Sequence, residues 1–180
     1  MRVTTGIARG RKLKSPADDT VRPTADQVKQ AMFNMLQGDV EGRRVLDLFG
    51  GTGQLGIEAL SRGAREAVFV DTSRASVALI RENLKLCSFD AQIIHSDALA
   101  YLGRGEKFDL IIVDPPYDSG LYGQVLERIN AVDNLSEGGI IICEARAGTE
   151  LPEMRPPYRK QRERIYGTMK LCIYTKDASL

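Results

Sequence analysis

The fold is decided by the stretch Val45-Leu46-Asp47-Leu48-Phe49-Gly50-Gly51-Thr52-Gly53-Gln54-Leu55-Gly56. An apolar run leads into three glycines within four residues, and an amphipathic segment follows. Glycines allow positive φ and let the backbone approach a ligand closely. The stretch therefore predicts a buried strand, a ligand-binding turn and a helix, which together open a βαβ unit.

On both sides of this stretch, similar apolar runs alternate with amphipathic segments. We predict strands at Arg44–Phe49, Ala67–Val70, Gln92–His95, Leu110–Val113 and Ile140–Cys143, and helices at Thr24–Gln37, Leu55–Arg62, Ser73–Leu86 and Gly120–Val132. Short strands separated by helices indicate an α/β fold with a parallel sheet covered on both faces. In the tail, Arg162–Tyr166 and Met169–Tyr174 predict an antiparallel hairpin that turns through Gly167–Thr168.

The beginning of the chain fits neither pattern. Gly6, Gly10 and Pro16 interrupt it, which favours a small hairpin or a mobile arm. We therefore predict a basic N-terminal arm over residues 1–21 and one catalytic-type α/β domain over residues 22–180, a size ordinary for a single domain.

Composition excludes several classes of protein. The 180 residues carry 25 basic and 24 acidic side chains, so the total charge does not indicate a nucleic-acid partner. No apolar run approaches the roughly 18 residues that span a bilayer, and no secretory leader is visible. Three widely spaced cysteines without a C-x-x-C pair fit a reducing cytoplasm. With His95 the only histidine, we expect no metal site, and a monomer is the default.

The glycine turn leaves two ligands open. Residues 51–56 match G-x-G-x-x-G, and Asp71 follows about 20 residues later, where an acid can accept the hydroxyls of an adenosine ribose. A nicotinamide dinucleotide fits this pattern. However, Asp47 precedes the glycines, and its charge would repel a pyrophosphate. It would suit the cationic methionine end of S-adenosyl-L-methionine, which we therefore favour.

A second motif adds a substrate. The strand 109–113 ends in Asp114-Pro115-Pro116-Tyr117, at the sheet edge where open α/β sheets bind ligands. Two prolines stiffen the turn and leave carbonyl acceptors, Asp114 adds a carboxylate, and Tyr117 adds an aromatic face. Such a loop can hold a planar base by its exocyclic amine, which indicates methyl transfer to that amine.

Two further features support this hypothesis. Asp97 follows the third predicted strand, and it can cap the next short helix, reach the adenine amine, or both. Basic side chains also cluster near both ends of the chain, in residues 2–14 and 155–170, although the total charge is nearly zero. Phosphate contact explains this placement.

Several segments, in order along nearly the whole chain, resemble the RsmD family of bacterial 16S rRNA guanine-N2 methyltransferases. Arg22-Pro23-Thr24 with Asp26, Val28 and Phe33-Asn34 is similar to that family's R-P-T-x-D-x-V-x-x-x-x-F-N segment. Its other characteristic segments are similar to Arg9–Leu13, Asp47–Ala64, Asp114–Tyr117, Gly120–Tyr122 and Tyr166–Thr168. The family's usual loop reads F-A-G-S-G-A-L-G, whereas residues 49–56 of this chain read F-G-G-T-G-Q-L-G. Every change keeps a small residue except Gln54.

The resemblance implies a fold, a substrate and residue roles. The fold is a Rossmann-like, seven-stranded class I methyltransferase sheet with helices on both faces. The substrate is the exocyclic N2 of guanine 966 in 16S rRNA, within the assembled 30S subunit. By this resemblance, the cofactor would be lined by Asp47, Phe49, Gly51, Gly53, Asp71 and Asp97. The guanine would be held by Asp114, Pro115 and Tyr117. The RNA would be contacted by Arg9, Arg11, Lys12, Arg22 and Thr24.

Other functions share part of this pattern. A DNA adenine-N6 methyltransferase uses the same chemistry but usually carries a target-recognition domain. A protein-glutamine methyltransferase more often has Asn at the position of Asp114. A nicotinamide-dependent dehydrogenase has no use for the Asp-Pro-Pro-Tyr loop, and a non-catalytic RNA-binding module would leave both loops unexplained.

Overall fold

A computed structural model describes residues 1–16, 26–117 and 119–177. The strands are β1 Arg44–Asp47, β2 Glu66–Asp71, β3 Gln92–His95, β4 Phe108–Val113, β5 Leu135–Arg146, β6 Tyr158–Tyr166 and β7 Met169–Lys176. The helices are α1 Asp26–Met35, α2 Gln54–Ser61, α3 Arg74–Leu86, α4 Ala98–Leu102 and α5 Leu121–Val132.

These strands form one seven-stranded sheet in the order β3-β2-β1-β4-β5-β7-β6. Strands β1 to β5 pair in parallel, whereas β7 runs antiparallel to both β5 and β6. The predicted α/β class, the seven strands and the C-terminal antiparallel hairpin are therefore confirmed.

Two apolar clusters cover the sheet, one on each face. Alternate residues of a strand point to opposite faces, and Leu110 and Ile112 of β4 enter one cluster while Ile111 and Val113 enter the other. We call these the α2 face, which also holds apolar residues of α1, α2 and α3, and the α5 face, which holds those of α4 and α5. Burial on both sides explains why the strands read as unbroken apolar runs.

Strands β5 and β6 extend by four residues or more beyond the predicted ranges, whereas β2, β4 and β7 are longer by two residues each. Strand β5 begins at Leu135 and ends at Arg146, although only Ile140–Cys143 was expected. Its first half contains Ser136 and two glycines, residues that ordinarily mark a turn. Strand β6 begins at Tyr158 rather than Arg162. Strand β6 pairs with β7 along this added length, so pairing overrides local composition there. In β5 only Leu135 pairs with β4 before the register shifts, and regular pairing resumes at Ile140.

The first residues pack against the helices of the α2 face. Arg2 and Lys12 form an antiparallel bridge, and Val3, Ala8 and Leu13 are buried in the cluster of this face. The carboxylate of Glu58 on α2 holds the turn between them. Predicted boundaries at residues 21 and 22 lie outside the described residues, so the division into arm and domain stays a prediction.

Four further features of the described residues concern membranes, metal ions, the cysteines and the histidine. No helix within the described residues is long and apolar enough to cross a membrane. In the same part of the chain, no three His, Cys, Asp or Glu side chains are grouped as a metal ion would require. All three cysteines are buried and reduced. His95 is exposed, and its Nε2 lies 2.8 Å from the carbonyl oxygen of Thr72.

Candidate active site

The carboxyl ends of four adjacent strands bring the predicted site residues to one edge of the sheet. In the order β3-β2-β1-β4, Asp97 lies two residues after the end of β3, Asp71 ends β2, Asp47 ends β1 and Asp114 directly follows β4. The register supports this, because Asp71 lies opposite His95 and Asp47 lies opposite Ile112. Residues more than 60 positions apart in sequence therefore share one edge, where open α/β sheets bind ligands.

The glycine turn wraps the carboxyl end of β1. The Gly50 N–H donates to the carbonyl of Val70 (2.9 Å), which ties the turn to β2. Gly51 and Gly53 have φ of 55° and 80°, a left-handed conformation that favours glycine. Gly53 directly precedes α2, and its N–H donates to the Gly50 carbonyl (2.7 Å). The turn thus presents backbone, with few side-chain atoms, at the edge of the sheet.

Asp71 connects this turn to the next strand. Its Oδ2 accepts from the Gly51 N–H (2.8 Å), and its Oδ1 accepts from the Ser73 N–H (2.7 Å). A carboxylate has about four acceptor positions, so two bonds leave capacity for the two hydroxyls of a ribose. A half-buried acid beside a glycine turn therefore fits an adenosine-containing cofactor.

Asp47 is buried, with 1% of its surface exposed. Its Oδ2 accepts from the Gly56 N–H on α2 (2.9 Å). Burial, the largest cause, and the nearby charge of Asp71 raise the pKa of Asp47 to about 7, although the hydrogen bond from the Gly56 N–H lowers it. Asp47 therefore holds the start of α2 from below the turn, and its carboxyl changes between the neutral and the charged form near neutral pH.

Asp97 is the N-cap of α4. Its Oδ1 accepts from the N–H groups of Leu99 (2.9 Å) and Ala100 (3.0 Å), which confirms the capping role predicted from sequence. The side chain is exposed at the edge of the sheet. Its contact with an adenine stays a prediction.

The Asp-Pro-Pro-Tyr loop begins where β4 ends. Pro115 is buried and Asp114 is half-buried, so the loop is anchored on the sheet while its polar groups reach the surface. Tyr117 donates through its hydroxyl to Oε1 of Glu144 (3.3 Å). The guanidinium of Arg146 lies 5.2 Å from the centre of the Tyr117 ring, within the range of a cation–π contact.

Sequence reasoning missed the two residues that hold Tyr117. Glu144 is 1% exposed and, with Arg146, lies in the extension of β5 beyond the predicted strand. The signal was available, because Glu144 is a further acid at the carboxyl end of a buried apolar run, as Asp47, Asp71 and Asp114 are.

A buried amide was also missed. Asn83 on α3 is 0% exposed and donates to the carbonyls of Thr52 in the glycine turn (2.8 Å) and Lys14 (3.1 Å). Its Oδ1 accepts from the Lys14 N–H (2.7 Å). The basic N-terminal segment is thereby bonded, through one side chain, to the turn proposed to hold the cofactor.

The predicted RNA-contacting residues are distributed along this N-terminal segment. Arg9, Arg11 and Lys12 are all exposed. Next to Arg9, the Ala8 N–H donates to Oγ of Ser61 at the end of α2. Two residues after Lys12, the Lys14 N–H donates to Oδ1 of Asn83, which contacts the glycine turn. The other two predicted residues, Arg22 and Thr24, lie outside the described residues.

A family model described as "Conserved hypothetical protein 95" matches residues 1–175. The chain is 38% identical over 182 residues to "Putative rRNA methyltransferase YlbH" of Bacillus subtilis, covering 98% of this chain and 99% of that protein. It is 32% identical over 180 residues to "Ribosomal RNA small subunit methyltransferase D" of Escherichia coli, covering 99% and 91%. A solved Escherichia coli structure, "Putative methyltransferase yhhF", superposes with a TM-score of 0.87 at 32% identity, covering 99% of both chains.

Proposed function

The chain belongs to the RsmD family, whose model is described as Conserved hypothetical protein 95, and from that membership we propose that it methylates small-subunit ribosomal RNA. S-adenosyl-L-methionine is the methyl donor. The acceptor is the exocyclic N2 of one guanine, guanine 966 of 16S rRNA, within the assembled 30S subunit.

One observation carries this proposal. The glycine turn and the Asp-Pro-Pro-Tyr loop follow β1 and β4, which are neighbours in the sheet. A donor held over the first loop and a base held by the second would therefore meet at one edge. A dehydrogenase would need the first loop and leave the second without a role.

The chain's own residues would hold the cofactor as follows. Asp71 accepts the ribose hydroxyls, Asp97 receives the adenine amine, and the backbone of Gly51 and Gly53 lies against the nucleoside. Asp47, whose pKa is about 7, would offer negative charge below the methionine end in its ionised form, and Phe49 precedes the turn. When bound, S-adenosyl-L-methionine supplies an electrophilic methyl group on a sulfonium.

The Asp-Pro-Pro-Tyr loop would hold the base. The guanine amine donates its two N–H groups to the Asp114 carboxylate and the Pro115 carbonyl, and the ring stacks on Tyr117. These bonds direct the nitrogen lone pair toward the methyl group. Methyl transfer to this nitrogen would form the N–C bond as the S–C bond breaks and would leave S-adenosyl-L-homocysteine, and the Asp114 carboxylate that accepts an amine N–H would take up the proton. Alignment and electrostatics suffice, because no covalent enzyme intermediate is needed.

Asp114→Ala tests the role of this loop. We expect methyl transfer to 30S subunits to fall by about 100-fold or more, the order seen when one directing polar group is removed from an active site. Affinity for S-adenosyl-L-homocysteine should stay near wild type. Asp90→Ala is the matched control, because Asp90 is exposed in the loop that precedes β3. Normal methylation by Asp114→Ala would refute the base-holding role.

Cofactor identity has a separate test. A ligand at 100 times its Kd stabilises the folded state by about 2.7 kcal/mol, which is roughly 5–10 °C in Tm for a chain of this length. We expect S-adenosyl-L-homocysteine to produce such a shift and NADH to produce none. The reverse result would assign the chain to the dehydrogenases.

A further inference from the structure

The tip of the β6–β7 hairpin exposes side chains that the proposed mechanism does not use. Ile165 is 61% exposed and Tyr166 is 38% exposed, two of the four large apolar side chains exposed among the described residues. Arg162 and Arg164 are exposed on the same strand. An exposed aromatic side chain among cations, on the outermost strand of a sheet, is a combination that binds unpaired nucleic acid.

The register places this tip beside the Asp-Pro-Pro-Tyr loop. Arg146 of β5 pairs with Met169 of β7, which in turn pairs with Tyr166 of β6. Neighbouring strands are about 4.8 Å apart, so Tyr166 lies roughly 10 Å across the sheet from Arg146. Because Arg146 contacts the ring of Tyr117, a short row of side chains connects the proposed base-binding tyrosine to the hairpin tip.

A second row runs parallel to the first. Glu144 pairs with Leu171, which pairs with Arg164. The pairing of Val113 with Cys143 puts Asp114 next to Glu144 when the register is continued by one residue. Arg164 therefore lies in line with the aspartate of the loop, about three strand spacings away.

The basic side chains of the tip also share a face with the N-terminal segment. Residues directly opposite in antiparallel strands point to the same side. Arg162 and Arg164 lie opposite Ile173 and Leu171, which belong to the cluster of the α2 face. That face also buries the apolar side chains of residues 1–13. The two basic segments of the sequence thus flank the site on one side of the molecule.

We propose that Arg146, Arg162, Arg164 and Tyr166 form a binding surface for the unpaired RNA strand that flanks the target base. Tyr166 stacks on one neighbouring base, and the arginines contact phosphates on the way to Tyr117. This surface rests on the proposed function and extends it, because it assigns a role to the C-terminal hairpin. The charge of this surface favours RNA over protein as its occupant. The exposed arginines of the tip point to the side of the α2 face, and the intervening acid, Glu163, is neutralised by Lys170, whose Nζ lies 3.2 Å from its Oε1.

Tyr166→Ala tests the stacking contact in the full-length protein. Loss of one base–aromatic stack should raise KM for 30S subunits about tenfold and leave kcat within twofold. Leu86→Ala is the matched control, because Leu86 is a similarly exposed apolar residue (42%) at the end of α3, on the opposite edge of the sheet. Binding of S-adenosyl-L-homocysteine and thermal unfolding should match wild type in both variants.

The double variant Arg162→Gln with Arg164→Gln tests the phosphate contacts. Each lost contact with a single strand reduces the slope of log K against log salt by about 0.7, so we expect a total reduction of about 1.4. Arg159→Gln is the control on the same strand, because Arg159 is at the other end and is paired with Asp177 (2.6 Å). A slope equal to wild type, or the same KM for Tyr166→Ala as for wild type, would overturn the proposal.

A crosslink identifies the occupant. Tyr166→p-azidophenylalanine, irradiated on 30S subunits, should attach to rRNA. Attachment to a ribosomal protein would overturn the assignment, as would the absence of any crosslink from a variant that still methylates. Failure of the proposed function itself is distinguishable, because the wild-type protein would then transfer no methyl group to 30S subunits at all.

Discussion

Asp47→Asn tests whether the acid beneath the glycine turn is protonated in the folded protein. Asparagine has nearly the same shape, and its amide oxygen can still accept from the Gly56 N–H, which lies 2.9 Å from Oδ2 of Asp47. The substitution therefore removes the ionisable proton and leaves the contact with α2.

The pKa of Asp47 sets the size of the effect. Its ordinary value is 3.8, and burial raises the pKa to about 7 in the folded state. Each unit corresponds to about 1.36 kcal/mol, so the total is about 4 kcal/mol. Between about pH 4 and pH 7 the folded protein binds more protons than the unfolded chain. The contribution of Asp47 to the free energy of unfolding therefore decreases as pH rises through this window and is constant above it.

Urea unfolding of both proteins at pH 5, 6, 7 and 8 measures this contribution. The other acids are common to both proteins and cancel in the difference between them. They include Asp133, whose pKa is held well below its ordinary value by Lys107, Lys176 and Tyr158 against the effect of burial. We expect the variant to gain about 3 kcal/mol relative to wild type between pH 5 and pH 8. A difference that stays constant from pH 5 to pH 8 would mean that Asp47 is ionised throughout, and it would refute a raised pKa.

Three further predictions follow from contacts around the same edge. Gly56→Ala should destabilise the protein by about 2 kcal/mol, because the new Cβ would lie 2.3 Å from Cε1 of the fully buried Phe69, and overpacking outweighs the gain of about 1 kcal/mol in helix propensity. Gly123→Ala should instead stabilise the protein, because a Cβ added there meets no atom within 4 Å, and equal effects of the two substitutions in urea unfolding would contradict this explanation. Asn83→Ala should cost about 2–4 kcal/mol and weaken cofactor binding, because buried groups of Thr52 and Lys14 lose their partner. Its exposed neighbour Glu82 serves as the control, since Glu82→Ala removes only a surface ion pair and should leave stability nearly unchanged; unchanged cofactor affinity of Asn83→Ala in calorimetry would separate Asn83 from the site. Replacing Arg9 and Arg11 with Gln should reduce the salt slope of RNA binding by about 1.4, and an unchanged slope would count against the N-terminal segment as an RNA contact.

Much of the fold could be predicted from the sequence, because burial on both faces makes each parallel strand a continuous apolar run. The strand ends also identified the acids Asp47, Asp71, Asp97 and Asp114. The topology then brings these four side chains to one edge of the sheet. Their positions relative to one another could not be predicted from any local pattern.

Other features depend on contacts that are distant in sequence. The polar start of β5 resembles a turn: only its first residue, Leu135, pairs with β4, and the register shifts before pairing resumes at Ile140. The packing of the N-terminal segment depends on Glu58, whose carboxylate accepts from Thr4 and Thr5 across more than 50 residues. Glu144 and Asn83 likewise acquire their roles from neighbours that only the folded chain supplies.

Methylation of small-subunit rRNA is tested by transfer of a labelled methyl group to 30S subunits from cells that lack this protein, followed by nucleoside analysis. Naked rRNA and DNA serve as parallel substrates. We predict N2-methylguanosine in the rRNA of the 30S sample. Label recovered as N6-methyladenine in DNA would contradict the rRNA assignment, although the sheet, the cofactor and the role of Asp114 would remain.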